Sequence, residues 1–139
     1  MLNSIPVDPA TRDASRQRLV AENLVASVRS GVAEHSCDQG AILIGFTSED
    51  IYPASMNWQF AFGWRESDAH SAVVSTARLN LVNPGQPADS NVSSVRLREI
   101  VTKDLGILYY GLPQSQNAKS VLYNEIMGIE ELDQVGDDF

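Results

Sequence analysis

No intrachain disulfide can form in this chain, because Cys37 is the only cysteine among its 139 residues. Histidine is nearly as scarce: His35 and His70 are the only two, and no imidazole follows residue 70. A cysteine-rich or histidine-rich metal site is therefore excluded. Basic residues are also few. Lys and Arg number 10 against 18 Asp and Glu, a formal charge of −8, and no basic stripe offers itself to nucleic acid or to an anionic membrane. No apolar run approaches the roughly 18 residues of a membrane span. The stretch Met1–Arg12 lacks the basic start and apolar middle of a secretory leader. The compartment is thus unassigned: cytoplasmic by default, secreted or periplasmic if a leader has been removed. No Gly-x-Ser-x-Gly and no Cys/His pairing marks a nucleophile, so Cys37 reads as a free thiol near a loop.

What is present suits one soluble α+β domain spanning 1–139: hydrophobic residues are 43% and charged residues 20%, too apolar for a disordered chain. Residues 1–8 are expected to be flexible. Asp8-Pro9 suits a helix start, and Leu19, Val20, Leu24, Val25 and Val28 recur at helical spacing up to a stop at Gly31. Ala41 to Phe46 is a short continuous apolar run, expected as a strand buried on both faces. In the run from Trp58 to Trp64 bulky apolar residues alternate, which predicts an edge-like strand with Trp58, Phe60, Phe62 and Trp64 on one face. Ser71 to Leu79 predicts a further strand. The stretch 80–92, rich in Pro, Gly and Asp, predicts an exposed loop. A second helix, capped by Ser93 or Ser94, is expected through about Tyr110. Ser120 to Tyr123 forms a small apolar anchor, followed by a short acidic helix near Ile129 to Val135. The architecture expected is a small mixed, twisted sheet of about four strands packed on two main helices, with a short C-terminal helix.

Three blocks in order carry a resemblance. They are Ile44-Gly45-Phe46-Thr47-Ser48-Glu49-Asp50-Ile51-Tyr52-Pro53, then Asn57-Trp58-Gln59-Phe60-Ala61-Phe62-Gly63, then Ala72-Val73-Val74-Ser75-Thr76-Ala77-Arg78-Leu79. Over about two-thirds of its length the chain resembles metzincin-type zinc metallopeptidases, most closely the archaemetzincin-like proteins. In that family the next helix carries His-Glu-x-x-His-x-x-Gly-x-x-His. Matching Leu105-Gly106 to the family's Leu-Gly puts Lys103, Ile107 and Pro113 at the three ligand positions, Asp104 at the general-base position and Tyr110 at the later glycine. An ammonium repels zinc, isoleucine has no donor atom and proline offers only a carbonyl. The turn beneath the metal is replaced by Ser120-Val121-Leu122, with Met127 out of register, and the cysteines of the family's second zinc site are missing.

The resemblance implies a catalytically inactive metzincin-like domain with no zinc or other cofactor. Its remaining role would be to capture an extended peptide or protein along the edge segment Asn57, Trp58, Gln59, Phe60, Ala61, Phe62, Gly63. Two alternatives stand beside it. An active metallopeptidase would need a non-standard metal site assembled from His35, His70, Asp50, Asp68 or the C-terminal carboxylates. A structural domain would use the free edge to form homo-oligomers. Lys103 and Asp104 read either as exposed helix residues or as lining of the old cleft, and Tyr109 and Tyr110 as aromatics filling it.

Overall fold

The computed structural model describes residues 4–32, 40–83, 86–87, 90–136 and 139. Cys37 and His35, together with the thiol reading given to Cys37, lie outside the described residues. Asp8 accepts the Ala10 amide at 2.9 Å and caps only a single 3-10 turn, Pro9–Thr11, rather than a helix. The reason is local. Asp13 accepts from the Ser15 amide and hydroxyl and from the Arg16 amide, and Gln17 takes a left-handed φ of 52°. Such side-chain turns compete with helix. The chain therefore reverses between β1 (Arg12–Asp13) and β2 (Arg18–Val20), and α1 starts only at Ala21 and runs to Gly31. Leu19 and Val20, expected in the helix, are strand residues. In the opening stretch Ile5 lies against the end of α1: a β-carbon on Gly31 would sit 2.7 Å from it.

The central strand is β6 (Ser71–Ser75), buried along its whole length. It pairs in parallel with β3 (Leu43–Thr47) and antiparallel with β5 (Gly63–Glu66), giving the order β3-β6-β5. The strand buried on both faces is thus β6 rather than β3. The latter lies at an edge and leaves Phe46 half exposed. A second sheet, in the order β1-β2-β4, ends on β4 (Ile51–Tyr52), and the Ala61 amide donating to the Ile51 carbonyl at 2.9 Å ties the two sheets together. Residues 57–62 are not regular strand; the strand begins at Gly63. The aromatics consequently do not share a face. Trp58 and Trp64 pack on the core of Leu19, Val25, Ile51 and Val73, whereas Phe60 and Phe62 belong with Val74, Leu79, Ile100 and Leu132.

The stretch expected as loop holds a short hairpin, β7 (Leu81–Asn83) with β8 (Gln86–Pro87), and α2 begins at Ser90, earlier than either expected cap. α2 runs from Ser90 to Leu108. It accommodates Gly106 because a β-carbon there would lie 2.6 Å from Phe139 and 3.0 Å from Leu122. The apolar anchor is buried at Val121 and Leu122, and α3 (Ile129–Leu132) is a single turn docked through Leu132. No described helix is long and apolar enough to cross a membrane. The mixed α/β architecture with two main helices and a short C-terminal one is the one expected, its described strands divided between two linked three-stranded sheets and the two-stranded hairpin.

Candidate functional site

A cleft of about 380 Å³ opens between the 57–65 stretch, the middle of α2 and the segment that returns beneath it, with Gln114, Asn124, Ile126 and Met127 on the far wall. All seven residues from Asn57 to Gly63 line it, as do Arg65, Lys103 and Asp104. On its floor Ile100, Lys103 and Asp104 come from adjacent turns of α2, because residues three and four apart share a helix face.

Neither of the charged floor residues is exposed. Asp104 is 2% exposed; Arg65 Nη1 donates to its Oδ1 at 3.0 Å, while its Oδ2 has no partner among the described residues. Burial pushes the Asp104 carboxyl up from its ordinary value, opposed by the charges of Arg65 and Lys103. The Lys103 ammonium donates to the Tyr123 carbonyl across the cleft. Burial first, and the Arg65 charge second, push its pKa from 10.5 down to about 8, with Asp104 pulling the other way. A depressed lysine is a stability statement. Between about 8 and 10.5 the unfolded chain holds a proton that the fold releases, so stability should rise with pH across that window. Below it the cost is fully present. Against a Lys103→Met variant, whose profile lacks this slope, the gain should be on the order of 2 kcal/mol, less than the full shift at roughly 1.4 kcal/mol per unit because solvent reaches part of the side chain. Urea unfolding of both proteins at pH 7 and pH 10 measures it; parallel profiles would contradict it.

The other motif positions fall elsewhere. Ile107 is half-buried on the helix, and Tyr110 and Pro113 are exposed; none of the three lines the cleft. Tyr109 and Tyr110 do not fill it. They are 63% and 62% exposed, stacked edge-to-face on each other, with Tyr110 against Phe139. They stand beyond the end of α2, where the hydrogen bonding loosens. The Tyr109 and Tyr110 amides both donate to the Leu105 carbonyl, Leu112 donates back to Gly106 at 2.9 Å, and Gly111 turns the chain with φ of 65°. One residue later than Pro113, Gln114 reaches the cleft. Among the alternative metal ligands, Asp50 is held by Arg18 at 2.9 Å and by both ends of Arg78, and Asp68 and His70 lie around the turn after β5. No three His, Cys, Asp or Glu side chains come together among the described residues.

Sequence reasoning missed Arg65 and Gln114. The signal for Arg65 was available: it follows Gly63 at the strand period of two, but the expected strand stopped at Trp64. In β5 the Ser75 amide donates to the Phe62 carbonyl at 2.8 Å, and antiparallel ladders alternate, so Gly63 and Arg65 turn their backbone N–H and C=O away from β6. These two residues line the cleft and Trp64 does not. Upstream the edge is partly closed: Ala61 bonds Ile51, and the Trp58 and Gln59 carbonyls accept from Arg16 and Arg18.

No family model matches the chain, and no curated protein matches it. Three crystal structures do. The zinc-dependent peptidase of Methanocorpusculum labreanum superposes with a TM-score of 0.82 at 20% identity, over 96% of this chain and 75% of that one. The archaemetzincin of Methanopyrus kandleri gives 0.76 at 24% identity, over 97% and 67%. The archaemetzincin of Archaeoglobus fulgidus, complexed with malonate, gives 0.73 at 22% identity, over 99% and 75%. The fold of this chain is that of the archaemetzincins.

Proposed function

We propose that this chain, built on the archaemetzincin fold, is a catalytically inactive module that binds extended peptides. The observation that carries the reading is the β5 edge, where Gly63 and Arg65 present unladdered backbone groups to a cleft floored by α2. Strand addition requires only such groups and a place for alternate side chains, and it needs no metal. The edge is short and carries Arg65 and Glu66, features that discourage indiscriminate pairing with other edges.

The residues at the metal positions do not fit zinc. Lys103 is a cation tied to the Tyr123 carbonyl, Asp104 is engaged by Arg65, and Ile107 has no donor atom. Lys103 and Asp104 nonetheless line the cleft, and Ile107 follows one turn later on α2. The turn that follows has its left-handed residue at Gly111 rather than Tyr110, and Gln114 rather than Pro113 lines the cleft, which supports reading Gln114 as the third position. On this reading the lost centre would be Lys103, Ile107 and Gln114, with Asp104 in the place of the base.

Fluorescence anisotropy with labelled penta- and hexapeptides tests the function. Binding at micromolar concentrations is expected, weakened at least tenfold when alternate peptide nitrogens are methylated so that they cannot donate to the β5 edge. Equal binding of the methylated peptides removes strand addition. Stoichiometric zinc after purification from metal-replete medium, together with peptide cleavage, overturns the inactive reading.

A further inference from the structure

We infer that the cleft recognises a carboxylate, held between the Arg65 guanidinium and the Lys103 ammonium, on the peptide it binds. The inference rests on the peptide-binding reading and names the group that reading leaves unspecified. Both cations have donors to spare. Among the described residues, only one of the five N–H groups of Arg65, on Nη1, meets a protein acceptor, and Lys103 spends one of three on the Tyr123 carbonyl. Lys103 has no carboxylate of the described residues within ion-pair distance, and Arg65 has only Asp104. Two cations against one carboxylate leave the cleft at +1 inside a chain of net charge −8.

Such an arrangement favours an added counter-ion. Lys103 is buried beside another positive charge, and an anion between the two would relieve both. A planar carboxylate suits the guanidinium fork. The excess of one charge favours a monoanion; a phosphate dianion would additionally be repelled by Asp104. The apolar wall of Phe60, Phe62 and Ile126 keeps water away and strengthens the contact. Asp104 Oδ2 is closed off from solvent and meets no donor among the described residues, so Arg65, through Oδ1, is the one hydrogen-bond donor this carboxylate has there. The carboxylate can come from a peptide C-terminus or from an internal Asp or Glu side chain.

Isothermal titration of the full chain with three probes separates these cases: acetyl-pentaalanine as the free acid, the same peptide as its amide, and an amidated peptide with a central glutamate. At least tenfold tighter binding of the free acid than of its amide identifies a C-terminus, and the same preference for the glutamate peptide identifies a side chain. Arg65→Gln and Lys103→Met should each abolish most of that preference, read as the ratio of free-acid to amide affinity on the same variant; Arg65→Lys should restore part of it. Thermal melts confirm that each variant is folded. Equal affinities for all three probes overturn the carboxylate site and leave peptide binding standing. Failure of every probe to bind removes both.

Discussion

Arg96→Ala is expected to cost about 3–5 kcal/mol of folding stability, the combined effect of a cavity and of two carbonyls left without their donor. Arg96 is 2% exposed in the first half of α2. Its Nε and Nη2 grip both oxygens of Asp133 at 2.7 Å, and its Nη1 donates to the Leu79 carbonyl at 3.0 Å and the Leu81 carbonyl at 2.6 Å. One side chain thus joins α2, the start of the β7 hairpin and the end of α3. Alanine would leave two carbonyls without their donor, free Asp133 and open a cavity where the buried arginine stood. The Asp133 side chain is 46% exposed, so water can recover it. Asp133→Asn should accordingly cost only about 1 kcal/mol. The two losses differ because the arginine matters through the carbonyls it serves more than through its charge pair. In thermal melts Arg96→Ala should lower Tm by roughly 10 °C. Equal losses for the two variants would show that the ion pair dominates instead.

Where hydrophobic period alone decides structure, the chain was legible. The run Ala72-Val73-Val74 became the buried central strand, and α1 ends at Gly31, as expected. Where a side chain bonds its own backbone, period misled. Leu19 and Val20 fit a helical stripe, but the turn organised by Asp13 commits them to β2. The alternation from Trp58 to Trp64 failed similarly. A two-residue period requires continuous strand, and the Ile51–Ala61 bridge with the Arg16 and Arg18 contacts to the Trp58 and Gln59 carbonyls holds residues 58–61 in another path. The hairpin at Leu81 was invisible because its strands of three and two residues are too short for any period.

The site divides along the same line. Lys103 and Asp104 could be placed by motif spacing, since helix geometry preserves spacing. That they are buried could not, because it depends on Arg65 from β5 and the Tyr123 carbonyl from a distant loop. Past Leu108 the helical bonding widens, so motif spacing no longer fixes position, and Gln114 rather than Pro113 lines the cleft.

The proposed placement of the third position at Gln114 makes the introduction of a metal centre a sharp test. The variant Lys103→His, Asp104→Glu, Ile107→His, Gln114→His should bind one zinc with Kd of about 1 µM or tighter, against no specific binding by the parent chain; this is at least roughly 8 kcal/mol of new interaction. Two histidines four residues apart on one helix face and a third from the following turn make a tripod with an open fourth position. The glutamate introduced in place of Asp104 inherits the Arg65 contact, so no cation is left unpaired, and removal of the Lys103 ammonium takes away the charge that would repel zinc. The companion variant carries Pro113→His in place of Gln114→His and is otherwise identical. Because Gln114 lines the cleft and Pro113 does not, the third imidazole of this variant should reach the site less well, and it should bind at least a hundredfold more weakly. Competition with a chromophoric chelator measures both affinities, and tighter zinc binding by the Pro113→His variant would return the turn to the spacing of the motif. Cleavage of a peptide by the Gln114→His variant, absent from the parent, would further show that the β5 edge still presents a peptide bond to the position the metal regains.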